Sequence, residues 1–161
     1  MANNFMADLK RGKQGEVLVA NAFRNMGYEV TDVSTNPTYW KKDVDLIIDD
    51  DGVERWIEVK ADWNMWRTGN VVLENYKEND RENKGWYQFT EASHVAFVDM
   101  KNRIAYICRT SELRMRVGSL MMNGADGLDV SPYIKMKTLN GYRCFLLDIE
   151  SNEDIFQKVA V

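Results

Sequence analysis

Apolar residues recur along positions 5–26 with the period of a helix: Phe5, Leu9, Val19, Ala20, Phe23 and Met26 fall on one side when each residue is advanced about 100°. Gly27 ends that helix. Alternation takes over at residues 28–33, which predicts a strand. After a polar loop containing Pro37 two more strands are expected, over 44–48 and 53–60, joined by a turn. A strand over 70–74, a solvated charged loop or helix edge over 78–84 and a helix over 85–92 follow. Residues 94–100 and 103–109 read as paired strands across Lys101 and Asn102. Ser111 is expected to cap a helix running to about Met122, with Met115, Leu120, Met121 and Met122 packed in the core. Residues 124–127 read as a loop. Asn140-Gly141, between the apolar runs 133–139 and 142–149, is a strong signal for a two-residue hairpin, and a short helix is expected to close the chain. No repeat, linker or compositional break divides the 161 residues, so the pattern predicts one α/β domain built on a central mixed β-sheet flanked by helices.

Composition narrows the function classes. With 45% hydrophobic residues the chain can build a core, which excludes a disordered segment. Lys plus Arg is 21 against 25 for Asp plus Glu, so no global field draws the protein onto a polyanion and any such site is local. The two cysteines, Cys108 and Cys144, lie in apolar runs and read as buried thiols in a reduced, cytoplasmic setting. The single histidine, His94, reads as a strand-edge residue and leaves triads and His-rich zinc sites without their imidazoles. No run reaches the roughly 20 apolar residues of a membrane span, and residues 1–4 do not resemble a signal peptide.

The chemistry concentrates between Asp43 and Lys60. If Asp51-Gly52 forms a two-residue hairpin turn, Asp45 falls opposite Glu58 and Asp43 opposite Lys60, with all four on one face. Val44, Leu46, Ile48, Ile57 and Val59 then form the apolar face that sets the register. Facing carboxylates repel, and a divalent cation resolves the conflict. Asp45 and Glu58 offer hard oxygens suited to Mg²⁺, with Mn²⁺ able to substitute, and Lys60 projects to the same side, where it can orient or activate water. Glu16 sits within the apolar stripe of the first helix, where a carboxylate needs a partner: a salt bridge to the sheet, or a place in the metal site.

These residues resemble the PD-(D/E)XK nuclease superfamily, the restriction-endonuclease-like fold, whose motif is an Asp, a short hairpin and then Glu-x-Lys. Here the motif is Asp45 followed by Glu58, Val59 and Lys60. The resemblance spans about residues 5–110, leaves a C-terminal elaboration over about 125–161 that includes the Asn140-Gly141 hairpin, and looks most like the small resolvase-type and phage-encoded members. It implies catalytic roles for Asp45, Glu58, Lys60 and Glu16 and a metal held by Asp45, Glu58, Val59 and Glu16. Val44 stands where the family often has Pro, and Asp43 is a rival to Asp45.

Beyond the motif, Asp62 and Glu74 are further acidic candidates that read more simply as ordinary carboxylates. Trp63 and Trp66, beside Arg67, read as packing residues, with base stacking as the alternative. A phosphate track is expected along Lys13, Lys41, Lys42 and Arg67, with Lys10, Arg11, Arg109, Arg114 and Arg116 as further basic residues. The expected function is a Mg²⁺-dependent DNA endonuclease, a homodimer by resemblance. The alternative is a catalytically inactive module of the same fold that binds nucleic acid or a partner.

Overall fold

The computed structural model describes residues 2–123, 129–130 and 133–161, and the expected loop over 124–127 lies outside them. The fold is a mixed α/β arrangement of two sheets. The first is six-stranded, in the order β1 (Glu29–Asp32), β2 (Leu46–Asp50), β3 (Val53–Asp62), β6 (His94–Asp99), β7 (Ile104–Arg109) and β11 (Gln157–Ala160). Its one parallel pairing joins β3 to β6. The second sheet is antiparallel, in the order β5 (Asp80–Lys84), β4 (Asn70–Lys77), β10 (Tyr142–Asp148), β9 (Ile134–Leu139) and β8 (Asp129–Val130).

Helix α1 (Ala2–Asn25) covers one face of the first sheet, packing Val19, Ala20 and Phe23 on Leu46, Ile48, Ile57 and Val59. The other face, through Val95, Phe97 and Cys108, meets Val71, Leu73, Phe145 and Leu147 of the second sheet. Each of these large side chains contributes about 1.5–3 kcal/mol when fully buried. Trp86 and Tyr87, on the single-turn helix α4 (Trp86–Phe89), join the second core, as do Leu113 and Val117 of α5 (Thr110–Asn123). Two one-turn helices complete the set, α2 (Pro37–Trp40) and α3 (Met65–Thr68).

Both predicted hairpins form, because Asp51 (φ 53°), Gly52 (φ 86°), Asn140 (φ 50°) and Gly141 (φ 78°) take the paired positive φ of a type I′ turn. Several other expectations change. The helix over 85–92 is only one turn, and residues 80–84 form an exposed edge strand. Helix α5 begins at Thr110, one residue before the expected cap at Ser111. Leu9 is exposed because the described side chains of α1 are buried only from Gly15 onward, where the helix meets the sheet, and Met26 is exposed in the turn just past the helix end at Asn25. Met115 and Met122 point to solvent, and only Leu120 and Met121 of that set pack against the core. Val44 is buried, but with Val33, Ile47 and Ala92 rather than with Leu46 and Ile48. The closing helix is a 3-10 segment (Glu150–Ile155), and the chain returns as β11 to the edge of the first sheet.

Gly85 positions α4. Its N–H donates to the Asn75 carbonyl at 2.8 Å, and a Cβ there would stand 2.2 Å from the Glu74 carbonyl oxygen. Gly85→Ala is therefore expected to cost about 1–3 kcal/mol as an overpacking change, read as a lowered urea midpoint with unchanged slope.

Candidate functional site

Asp45 stands one residue before β2, where the chain leaves α2 through Asp43, whose φ is 57°. That left-handed residue ends the ladder, and the simple register fails at Asp45: its N–H donates to the Ile57 carbonyl at 2.9 Å, not to a partner at Glu58. Its carbonyl accepts from the Val33 N–H at 2.8 Å, so the main chain is held from both neighbouring strands. The side chain is fixed as well, with Oδ2 accepting from the Val59 N–H at 2.9 Å.

Glu58 and Lys60 lie on the face of β3 that looks toward the second sheet, since Ile57 and Val59 point to α1. Glu58 is 4% exposed. The Lys60 ammonium lies 2.5 Å from Glu58 Oε1, 3.7 Å from Asp43 Oδ2 and 4.8 Å from the centre of the Trp86 ring. Asp43 Oδ2 is buried and accepts no hydrogen bond. Asp43 is thus not a strand residue facing Lys60, yet it still reaches that lysine.

Negative charge is in excess here. Burial pushes the Asp45 carboxyl up to about 6, with the Glu16 charge adding to it. Burial pushes Glu58 up to about 9, opposed by Lys60 and reinforced by Asp45 and Asp43. Asp43 and Glu74 are also raised by burial, each against the pull of Lys60. Burial would lower Lys60, but Glu58 and Asp43 outweigh it and hold the ammonium charged. One lysine cannot balance four carboxylates, so the cleft must take up protons or a cation. Hard, closely set carboxylate oxygens suit Mg²⁺ or Mn²⁺, which bind through one or two carboxylates and keep positions for water and phosphate. Among the described residues no three Asp, Glu, His or Cys side chains converge as a complete ligand set.

The remaining predicted residues fall in different places. Glu16 acts on Asp45, but it comes from α1 on the opposite side of β3 from Glu58, and its Oε2 is 2.8 Å from Lys13. Val59 contributes its amide to Asp45 while its side chain packs against α1. Lys13 is engaged by Glu16, Asp32 and Ser34, and Lys42 pairs with Glu91 at 3.1 Å. Lys41 is exposed, and Arg67 lines the cleft between the sheets. Arg114 donates to the Tyr87 and Thr90 carbonyls and Arg116 to Asp154, so both brace the fold. Asp62 closes its own turn, with Oδ1 accepting from the Asn64 and Met65 N–H groups. Trp63 and Trp66 are 44% and 46% exposed rather than packed, and Lys101 sits over Trp66. His94 opens β6 as expected, with Nδ1 2.9 Å from Ser93 Oγ. Cys108 and Cys144 are buried free thiols. Among the described residues no helix is long and apolar enough to cross a membrane.

Sequence reasoning missed the part played by Trp86 and assigned Glu74 to an ordinary position. Glu74 reaches the cleft from β4 and Trp86 from α4, and neither spacing nor periodicity signals that placement.

No protein family matches the chain, and no curated protein does. Among solved structures, the bacterial homing endonuclease I-Ssp6803I is similar at 18% identity and a TM-score of 0.46. The similarity covers 63% of this chain and 64% of that one, so the chain spans less than two thirds of that structure's length.

Proposed function

We propose that this protein is a metal-dependent nuclease of the PD-(D/E)XK type, most simply a DNA endonuclease, with the first sheet and α1 as its restriction-endonuclease-like core. One observation carries the reading: Lys60 pairs with the buried Glu58, and Asp45, fixed on the Val59 amide, lies within their electrostatic reach beside an Asp43 oxygen that is buried without a hydrogen bond. Asp45 and Glu58 are the residues that would hold the cation. Bound there, Mg²⁺ would supply Lewis-acid stabilisation of the phosphoryl oxygens and acidify water. The Val59 amide and the flanking backbone bonds orient Asp45 before any ligand arrives. Lys60 presents an ammonium beside the carboxylates, where it orients the attacking water and offsets charge developing on the phosphate. Glu16, held by Lys13, tunes Asp45 from behind rather than completing the ligand set.

The test is a gel assay of supercoiled plasmid, a synthetic four-way junction and single-stranded DNA, each with Mg²⁺, Mn²⁺ or EDTA. Cutting of at least one substrate with either metal and of none in EDTA is expected. Cutting that persists in EDTA would contradict the assignment, as would clean protein that cuts nothing. The absence of a converged three-residue ligand set among the described residues favours a second reading, a nuclease fold that only binds. That reading expects no metal uptake at Asp45 and Glu58.

A further inference from the structure

Between the two sheets, directly beside Lys60, lies a cavity of about 550 Å³. Its size is in the range of roughly 300–1,000 Å³ usual for small-molecule sites. One nucleotide fits such a volume; a stacked duplex does not. The lining divides by chemistry. Trp86 and Phe97, 6% and 1% exposed with rings 5.9 Å apart, close its floor as packed core, and the half-buried cross-strand partners Val72 and Leu146 supply an apolar wall. At the rim stand two exposed cations, Arg67 from α3 and Lys137 from β9, and neither forms an ion pair among the described residues.

The acids on the same lining are Asp62 and Glu74. Asp62 is committed to the turn that carries Arg67, and Glu74 lies on the side nearest Lys60. An apolar wall over a packed floor suits the flat face of a base, and rim cations suit the phosphates on either side of it. The second sheet contributes Asn70, Val72, Glu74, Lys137 and Leu146 to this cavity, opposite Lys60 of the first.

We infer that this cavity receives one unpaired nucleotide next to the scissile phosphate, so that the preferred substrate is nucleic acid with a flap, bulge, mismatch or free end. The inference rests on the nuclease reading for the word scissile and on the cavity alone for the nucleotide. Extruding a base from a perfect helix costs a few kcal/mol, and an already unpaired base avoids that cost.

The test measures binding in EDTA, where cutting plays no part. The probes are a DNA hairpin carrying one unpaired 2-aminopurine nucleotide and the same hairpin with that nucleotide paired. Wild-type protein is expected to bind the unpaired probe at least about tenfold tighter, a difference of about 1.4 kcal/mol, with a change in 2-aminopurine emission as the base enters. Lys137→Glu, on an exposed hairpin position, should bring the affinity ratio close to one, and Leu146→Trp, which fills the cavity, should do the same. If Leu146→Trp fails to fold, Lys137→Glu decides. Equal wild-type affinity for the two probes overturns the inference, and so does a ratio that Lys137→Glu leaves unchanged. A preserved preference in a protein that cuts nothing in Mg²⁺ upholds the cavity and sinks the nuclease reading alone. Metal-dependent cutting without any preference does the reverse.

Discussion

Glu58→Gln should reduce Mg²⁺-dependent cleavage by more than about 100-fold while leaving the fold intact. The side chain is 4% exposed and its shape is nearly preserved by glutamine, so no cavity opens. What disappears is a charge. Even changing residues that merely orient metal ligands costs about 10–100-fold, so losing a ligand should cost more. Lys60→Ala should fall by about 10²–10³-fold, as when one stabilising donor is removed from a transition state, but by a different route. Metal uptake should survive in Lys60→Ala, because the carboxylates remain. Single-turnover rates across a Mg²⁺ series separate the two: Glu58→Gln should gain partial activity at high metal, and Lys60→Ala should not. Equal, full activity in both variants would remove these residues from the mechanism.

Stability should depend on pH in an unusual direction. In the metal-free protein Asp45 and Glu58 hold their protons up to about 6 and about 9, because burial disfavours their charged forms. Carboxyls in the unfolded chain release theirs near about 4. The folded state therefore binds more protons than the unfolded one over that window. The stability these two groups allow is full below about pH 4 and is lost as the pH rises through the folded values. Each tenfold difference in proton affinity between the folded and unfolded chain is worth about 1.4 kcal/mol, so the melting temperature in EDTA should drop by several degrees between about pH 5.5 and 8.5, at about 2–4 °C per kcal/mol for a domain of this size. Glu58→Gln should flatten that drop and melt higher than wild type at the alkaline end. Mn²⁺ at 100 times its dissociation constant should add about 2.7 kcal/mol to wild type and little to the variant. A wild-type melting temperature that is flat or rises over this window, matched by the variant, would contradict the charge excess.

The hairpin of β2 and β3 was legible because its determinants are local. Asp51-Gly52 can take two successive positive φ values, and the alternation on either side leaves one face apolar, which together set the turn and most of the register. The same logic found the Asn140-Gly141 hairpin. Asp45 leaves the expected register, because the left-handed Asp43 two residues earlier lifts it out of the ladder, and neither spacing nor alternation signals that φ. What stayed hidden is non-local. Strand β4 pairs with β10 across some seventy intervening residues, and β11 closes a sheet begun near the other end of the chain. Glu74 enters the cleft from β4, which pairs with β10, so no window of sequence contains the reason it is there. Edge strand β5, with all five residues exposed, carries no apolar alternation at all and reads as a loop. Met65 is the buried residue of α3, while Trp63 and Trp66 on either side of it stay exposed.

The decisive measurement is a calorimetric titration of Mn²⁺ into metal-free wild-type protein and into Asp45→Asn, both at about pH 8. Saturable binding with proton release is expected in wild type, since the raised carboxyls must ionise to take the cation, and binding weakened by more than about tenfold is expected in Asp45→Asn. Wild-type protein that takes up no Mn²⁺, or an Asp45→Asn variant that binds it equally well, would contradict a cation held by Asp45 and Glu58.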